Sequence, residues 1–452
     1  MSSVFKDFKP DNESDYQDLF INQFFNLWMW LFRFKIKGDQ DFLAVIQLYK
    51  AFSVLAMKNN LFYIGGQDLR LFPIIFSDAG SGKGMTGTLY NKVFGCNLIG
   101  KGLLRIKTVR KPTNEKLVGS WDSSAQELNA KKGFTEGHDR WVDPKIPGYF
   151  EDYDDVVLEE ALHIFQRETD IQTTLRCVAD NFGDATNWLS SETLKNRQNN
   201  GYYARSSWGT FSYHLDDPKK LSADLVHNGL YQRSLCVFIR LEESQITEIV
   251  DNRNNYSAHQ VEVYEERCNI LTNLVARHFE KYHDLTLNIT DGAYSLLVKQ
   301  VHEMRNALKL KFTKEEERRI FDSYVVRAKN NIIKLACLNA VMKSRPIVIK
   351  DNLRVCFAIE EDVLVASEIV KLCINSVLEE IKPVMTRELG LQYINDVRKI
   401  LGKGIMTKGE IAKTMGEFWD CNTTTAMKRI NMILYIFSVK QGNKNEKWLR
   451  LK

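Results

Sequence analysis

The chain has 452 residues, of which 44% are hydrophobic and 26% are charged. Such a composition is typical of a globular protein with roughly two or three structural units, and it excludes a largely disordered chain, a collagen-like repeat and a coiled-coil rod. The net charge is +5, but residues 382–452 carry 14 Lys and Arg against 6 Asp and Glu. The positive charge is therefore a property of the C-terminal end.

The N-terminal region, residues 1–65, predicts buried helices and no membrane segment. Its most apolar run, residues 19–34, contains Asn, Gln and Arg side chains and is too short to span a bilayer. Acidic residues precede this run, whereas a signal peptide would have basic ones there. The eight cysteines form no CxxC pair and no zinc-finger pattern, which predicts reduced thiols. We therefore expect a cytoplasmic protein with no membrane partner.

A glycine-rich loop is the most informative stretch. Residues 71–76 are an apolar strand candidate, and the loop that follows has the sequence SDAGSGKGMTGTLY over residues 77–90, where a helix opens. In such a loop, backbone N–H groups surround a phosphate, the helix N-terminus adds partial positive charge and a Lys reaches the outer phosphates. We therefore predict that ATP is the cofactor and that Lys83 is a catalytic residue. The predicted nucleotide-binding residues of the loop are Asp78, Ala79, Gly80, Ser81, Gly82, Lys83, Gly84 and Met85.

Two positions of the loop depart from the phosphate-loop pattern GxxxxGK[ST]. Ser77 replaces the first Gly, and Gly84 replaces the Ser or Thr whose hydroxyl normally enters the Mg²⁺ shell. Thr86 is a candidate for that hydroxyl, because the similar loop of the adenylate-kinase kind also reads Gly-Lys-Gly followed by Thr. A flexible turn without a ligand is the alternative interpretation of the loop.

A second strand candidate, within residues 156–165, carries the paired carboxylates Glu159 and Glu160. P-loop ATPases place a Mg²⁺ ligand and a residue that polarises the attacking water at such a strand end. We therefore predict that Glu159 binds the metal together with Thr86, and that Glu160 is catalytic. Aspartate is usual at the first position, so slow or absent hydrolysis stays open. A solvated helix start is the alternative interpretation, since acids are favourable in a first helical turn.

Strand candidates alternate with helical segments up to about residue 240. Further candidates lie at residues 208–214 and 234–239, and this alternation predicts a parallel α/β sheet over residues 66–244. In residues 245–382 the apolar residues recur almost entirely at helical spacing. The fold class predicted from these patterns is α/β.

The order of these features resembles a known family. The phosphate loop, the strand ending in carboxylates, a polar third strand and the segment NGLYQRSL at residues 228–235 are similar to the AAA+ ATPase core of phage- and plasmid-type replicative helicases, of the superfamily-3 and minichromosome-maintenance kind. The resemblance spans roughly residues 71–380. It implies a P-loop AAA+-like core over residues 66–244 and a helical lid over residues 245–385.

The resemblance also implies roles for individual residues. Arg233 would be a catalytic arginine finger that reaches the γ-phosphate of a neighbouring subunit, where a planar cation stabilises the transferring charge. Ser212 or His214, with Thr210 third, would be the polar sensor 1 at the end of the third strand. Arg327, in the lid, would contact nucleotide. An ordinary surface arginine is the alternative for Arg233, and a structural role is the alternative for Arg327.

A hairpin candidate precedes the polar strand. Residues 194–205 read LKNRQNNGYYAR, an Asn-Gly turn signal flanked by basic and aromatic residues. The helicases named above insert a hairpin here that reaches into the channel of the ring. Phosphate contacts and stacking by Tyr202 or Tyr203 would give sequence-tolerant binding of single-stranded DNA. A surface hairpin without a ligand is the alternative. The predicted DNA-binding residues are Lys195, Arg197, Tyr202 and Arg205.

The tail, residues 386–452, reads as a winged-helix domain. Residues 406–416 and 422–434 suit the two helices of a helix-turn-helix, and residues 439–440 and 447–451 suit the strands of a wing. Lys428, Arg429 and Lys447 are the candidates for contacts with duplex phosphates. Docking of another protein is the alternative use of such a domain.

Together these patterns predict an ATP-dependent DNA helicase or translocase that acts as a ring, with a homo-hexamer expected, in replication of a phage or mobile element. The first alternative is a nucleotide-gated DNA-binding initiator or scaffold with weak or no hydrolysis, which the departures at Gly84 and Glu159 motivate. A small-molecule phosphotransferase is the second alternative. It predicts an Arg-rich substrate lid, and no such cluster is found in the sequence.

Overall fold

A computed structural model describes the chain over residues 23–36, 40–77, 83–96, 102–159, 164, 169–180, 188–189, 202–214, 229–239, 241–251, 256–311, 315–386, 397, 406–419, 421–432, 437–441 and 447–451. The helices in these ranges are α1 (Gln23–Lys35), α2 (Asp41–Lys58), α3 (Lys83–Phe94), α4 (Asn114–Val118), α5 (Ser123–Lys132), α6 (Tyr149–Asp152), α7 (Thr169–Val178), α8 (Leu230–Arg233), α9 (Glu243–Asp251), α10 (Ala258–Lys281), α11 (Asp291–Lys311), α12 (Glu315–Met342), α13 (Glu360–Thr386), α14 (Lys408–Phe418) and α15 (Thr423–Met432). The strands are β1 (Leu61–Tyr63), β2 (Pro73–Ser77), β3 (Ile106–Arg110), β4 (Gly119–Trp121), β5 (Lys145–Pro147), β6 (Asp155–Glu159), β7 (Trp188–Leu189), β8 (Tyr202–Tyr203), β9 (Ser207–His214), β10 (Leu235–Ile239), β11 (Leu285–Ile289), β12 (Ile347–Lys350), β13 (Leu353–Ala358), β14 (Met406–Thr407), β15 (Phe437–Gln441) and β16 (Lys447–Leu451). The chain forms two compact units, residues 1–377 and 378–452.

The first unit contains a five-stranded sheet of order β10-β2-β9-β6-β3, in which all described pairs are parallel. Strand β2 is buried throughout, and β10 and β6 are buried up to their last residue, as expected for a parallel sheet covered on both faces. This confirms the predicted α/β class with a parallel sheet. Strand β3 was not predicted, because it is an edge strand with only Val109 buried, and its Lys and Arg side chains hide the alternation.

The strand order creates a switch point next to the glycine-rich loop. After β2 the chain crosses to β3 at one end of the sheet, whereas after β9 it crosses to β10 on the other side of β2. Neighbouring strands β2 and β9 therefore send their connections in opposite directions, and ligands of open parallel sheets bind at the carboxyl ends of such strands. We call this edge, where β2 and β6 end, the carboxyl edge, and the opposite one the amino edge.

A second sheet, of order β1-β11-β13-β12, corrects the expectation that residues 245–382 are almost entirely helical. Strand β1 pairs in parallel with β11, and β11 with β13, while β12 pairs antiparallel with β13. The three strands in this range have only four to six residues each and lie between long helices, so their alternation is short. In β11, for example, Leu285, Leu287 and Ile289 are buried, and the residues between them are half-buried.

A buried ion pair ties helix α3, which follows the glycine-rich loop, to the sheet. The Nζ atom of Lys50 in α2 lies 3.0 Å from Oδ1 of Asp155 at the start of β6, and both side chains are fully buried. Lys50 also donates to the carbonyl oxygens of Leu71 (3.0 Å) and Trp208 (2.8 Å). The hydroxyl of Tyr90 in α3 donates to Oδ2 of Asp155 at 2.8 Å. Burial lowers the pKa of Lys50 to about 8, and Asp155 opposes this effect.

The second unit consists of helices α14 and α15 and a small antiparallel sheet of order β14-β16-β15. The side chain of Thr407 caps α14 by accepting from the backbone N–H of Glu410, whose carboxylate accepts from the backbone N–H of Thr407 in return. Ile411 and Met415 of α14 are buried, as are Ala426 and Ile430 of α15. The two helices and the hairpin lie where the sequence predicted helices and strands.

Two further expectations concern the whole chain. All eight cysteines are free thiols, as predicted, and five of them are buried. No helix in the described ranges is both long enough and apolar enough to cross a bilayer.

Candidate nucleotide site

The predicted phosphate site lies where β2 ends and α3 begins. Strand β2 ends at the buried Ser77 and α3 starts at Lys83, so the five residues Asp78–Gly82 connect them at the carboxyl edge. These five residues, and the side chain of Lys83, lie outside the described residues. In the first turn of α3, Gly84 and Met85 are exposed and Thr86 is fully buried.

Glu159 ends β6 at the same edge, and its neighbour Glu160 lies outside the described residues. The cross-strand partner of Glu159 on one side is Arg110 of β3, whose Nε donates to Oε2 of Glu159 at 2.7 Å. Its partner on the other side is Ser212 of β9. Glu159 therefore stands at the carboxyl edge between β3 and β9, and the Arg110 guanidinium holds its carboxylate.

The sensor 1 candidates lie between Glu159 and the start of the glycine-rich loop. In the register of the sheet, Ser212 pairs with Glu159 and His214 pairs with Ser77. Thr210 pairs with Ile74 and is fully buried, further from the carboxyl edge. The structure therefore brings Ser212 and His214, rather than Thr210, to the same edge as the loop.

The residues at this edge fit an Mg²⁺ ion only in part. Mg²⁺ prefers carboxylate and hydroxyl oxygens and commonly completes its shell with water and substrate phosphates. Glu159 has the right chemistry, but the Arg110 guanidinium already pairs with its carboxylate. The other predicted ligand, Thr86, is buried within α3. No group of three or more His, Cys, Asp or Glu in the described part of the chain could hold a metal. Nucleotide phosphates and water would therefore supply most of the shell.

Arg233 lies at the opposite, amino edge, because it ends α8, with one residue between it and the start of β10. Its Nε donates to Oδ1 of Asp180 at 2.6 Å and its Nη1 to the carbonyl of Gly229 at 3.1 Å. Gly229 has φ of +80°, and a Cβ there would lie 2.6 Å from Nη1 of Arg233. The left-handed backbone therefore favours glycine, and a side chain at this position would displace the guanidinium. Across the five-residue strands, the two edges are about 15 Å apart, so Arg233 cannot reach the loop of its own chain.

Arg327 lies with Arg233 rather than with the glycine-rich loop. Burial and the positive charge of Arg233 lower the pKa of Arg327 below its ordinary value, and Asp180 opposes them. Its neighbours Tyr324 and Ala328 in α12 line a cavity together with residues of α8. The structure therefore places Arg327 near Arg233 and Asp180 at the amino edge.

Residues 194–201 of the predicted hairpin lie outside the described residues, and Tyr202 and Tyr203 form the short strand β8. Strand β7 pairs antiparallel with β8, with Trp188 opposite Tyr203. Their rings meet edge to face at 4.9 Å, and Trp188 is 47% and Tyr203 42% exposed. The hydroxyl of Tyr202 donates instead to the carbonyl of Val118 at 3.0 Å. The exposed aromatic pair is thus Trp188 and Tyr203, and Tyr202 packs against the body of the unit.

The basic residues assigned to DNA are placed only in part. Lys195 and Arg197 lie outside the described residues, as do the side chains of Lys428 and Lys447. Arg205 is described, and its Nη2 donates to Oδ1 of Asn60 at 3.0 Å. In the second unit, the guanidinium of Arg429 lies 5.6 Å from the ring of Trp419.

Several buried charged residues were missed by the sequence analysis. Lys50 and Arg70 each interrupt an apolar run, and a charge in such a run signals a buried ion pair, since unpaired charges are almost never fully buried. Asp180 and Trp188 have no comparable signal. Their importance depends on neighbours that are distant in the sequence.

Comparison of the chain with known protein families, and with curated proteins, finds no match.

Proposed function

We propose that this chain binds ATP at the carboxyl edge of the five-stranded sheet and acts as an ATP-driven DNA helicase or translocase. The observation that supports it most is the convergence of three features on one edge. Strand β2, which leads into the glycine-rich loop, ends beside β9 at the switch point. Glu159 ends β6 on the other side of β9, and Ser212 of β9 pairs with it. This arrangement suits a nucleotide phosphate flanked by a carboxylate and a polar sensor.

A ring assembly is part of the proposal. Arg233 and Arg327 lie at the amino edge, too far from the loop of their own chain to compensate charge there. In a head-to-tail ring, the amino edge of one subunit faces the nucleotide of the next, and the interface repeats until the ring closes. We expect a homo-hexamer of AAA+ type, in which Arg233 acts on the neighbouring site.

DNA is the proposed substrate along which the protein moves. The exposed pair Trp188 and Tyr203 at the base of the hairpin supplies the kind of aromatic surface on which bases stack. The second unit has two helices followed by a hairpin and belongs to the basic end of the chain, which suits a winged-helix domain that contacts duplex phosphates.

The pairing of Arg110 with Glu159 favours one alternative function. A carboxylate held by a guanidinium is a weaker metal ligand, so the chain would bind ATP and hydrolyse it slowly. In that case it would be a nucleotide-gated DNA-binding initiator or scaffold.

Steady-state ATP hydrolysis with and without single-stranded DNA tests the proposal, with Lys83→Ala as the control. We expect hydrolysis that DNA stimulates and that Lys83→Ala abolishes, because the lysine neutralises the outer phosphates. Binding of ATP without hydrolysis would contradict the motor and favour the scaffold. Absence of ATP binding by the wild-type protein would contradict both.

We predict that Arg110→Ala lowers the Mg²⁺ concentration needed for half-maximal hydrolysis by about 3- to 10-fold, because it releases the Glu159 carboxylate. Titration of Mg²⁺ at fixed ATP measures this. Lys107→Ala, which removes a positive charge from the same strand without touching Glu159, is the matched control. An unchanged Mg²⁺ requirement in Arg110→Ala would show that Glu159 takes no part in the metal site.

A further inference from the structure

We propose that Asp180 is a positioning residue that orients Arg233 for the nucleotide of the neighbouring subunit and links this arginine to the hairpin. The inference rests on the proposed function, since it needs an arginine that acts between subunits. It concerns a residue that lies between the end of α7 and the segment leading to β7.

The first observation is how Asp180 holds Arg233. Its Oδ1 accepts from Nε of Arg233 at 2.6 Å, while Nη1 of the same guanidinium donates to the carbonyl of Gly229. Two bonds on different nitrogens fix a planar group in both direction and rotation. The side chain of Arg233 is 17% exposed, so it is largely buried but still reaches solvent. Such a group can meet a phosphate without first losing side-chain freedom.

The second observation is that the backbone of Asp180 and the backbone between β8 and β9 meet on one buried side chain. Arg70, fully buried and paired with Asp68 at 2.8 Å, donates through Nη2 to the backbone carbonyl of Asp180 at 3.0 Å. Its Nη1 donates to the carbonyls of Ala204 (2.7 Å) and Ser206 (2.8 Å), which directly follow β8. Arg70 therefore holds the backbone of Asp180 next to the backbone that follows β8.

These contacts form a short chain of bonds from the hairpin to Arg233. When DNA binding shifts β8, the carbonyl of Ala204 moves, and Arg70 moves with it. Because Arg70 also donates to the carbonyl of Asp180, the backbone of Asp180 shifts as well. The carboxylate of Asp180 then carries the shift to Nε of Arg233. In this way a DNA contact in one subunit changes the position of the Arg233 guanidinium relative to the nucleotide of the next subunit.

The experiment measures ATP turnover and ATP affinity, with and without single-stranded DNA, for Asp180→Ala, Arg233→Ala and the double variant. Asp180→Ala removes only the side-chain link, because the carbonyl that Arg70 holds is present in every variant. Asp180→Asn retains an acceptor oxygen without the charge and serves as the conservative variant. Asp322→Ala is the matched control, since it breaks a comparable Arg–Asp pair, with Arg305 at 2.8 Å, on an exposed helical surface.

We expect Asp180→Ala to lower DNA-stimulated turnover by about 10- to 100-fold, which is the effect of misplacing a catalytic group. The affinity for ATP should be unchanged, and the turnover with DNA should be about equal to the turnover without it. Asp180→Asn should recover part of the loss, and Asp322→Ala should have no effect. In the Arg233→Ala background, Asp180→Ala should cause no further loss, because a residue that acts only through Arg233 has nothing left to orient.

Three results would overturn the inference. These are wild-type stimulation in Asp180→Ala, a loss in the double variant equal to the product of the two single losses, and a drop in ATP affinity in Asp180→Ala. If the wild-type protein itself shows no hydrolysis that depends on Lys83, the proposed function fails first and this inference falls with it. The Lys83→Ala control therefore distinguishes the two failures.

Discussion

Arg233→Ala is expected to reduce ATP turnover by about 1000-fold, the effect of removing an arginine that stabilises a transferring phosphoryl group. The expected affinity for ATP is unchanged, because Arg233 lies at the amino edge and each chain binds nucleotide at its own carboxyl edge. Turnover and nucleotide binding, measured on the same preparation, separate the two effects. Thermal unfolding of the variant checks that loss of the bond to Asp180 does not disturb the fold.

Mixing of inactive variants tests whether Arg233 acts between subunits. Lys83→Ala subunits retain the arginine and cannot use ATP, whereas Arg233→Ala subunits retain the loop. If the arginine acts on the neighbouring site, equal mixtures should recover activity at about one quarter of the interfaces, as random placement in a ring allows. If mixtures stay as inactive as their components, the arginine acts within its own chain or has no catalytic role.

Asp155→Ala is expected to destabilise the first unit by about 3–5 kcal/mol, because it leaves the Lys50 ammonium buried without its carboxylate. This corresponds to a fall in the melting temperature on the order of 5–10 °C. Loss of the bond from Tyr90 should also loosen α3, the helix that starts at Lys83. Thermal melting followed by circular dichroism measures the stability change.

The pH dependence of this variant follows from Lys50. Burial already lowers the pKa of Lys50 to about 8, and removal of Asp155 lowers it further. The folded variant then binds fewer protons than the unfolded chain, so its stability rises with pH through the window between the folded and unfolded pKa values. The destabilisation relative to the wild type should be larger at about pH 6 than at about pH 9.

A variant in which both partners are apolar, Lys50→Met with Asp155→Leu, is the matched control. It removes the ion pair without leaving a buried charge, so we expect it to be clearly more stable than Asp155→Ala alone. Equal losses in the two variants, with no dependence on pH, would show that the cost comes from packing and not from the charge of Lys50.

Local sequence patterns predict the features that depend on neighbouring residues. The glycine-rich connection between β2 and α3, the carboxylate at the end of β6 and the helices and hairpin of the tail follow from local turn chemistry, alternation and capping, and the structure has a strand or helix at each of these places. The short strands β11 to β13 and the edge strand β3 were missed, because only a few of their residues are buried and the alternation is correspondingly weak.

The contacts between residues that are distant in the sequence follow from the fold and have no local pattern that predicts them. The order of the parallel strands places Ser212 next to Glu159 and puts Arg233 and Arg327 together at the edge opposite to Lys83. The pairs of Asp180 with Arg233 and of Lys50 with Asp155 join residues 53 and 105 positions apart in the numbering. A charged side chain carries no local sign of its partner, because its pairing is selected by burial and strand order and not by the residues beside it in the chain.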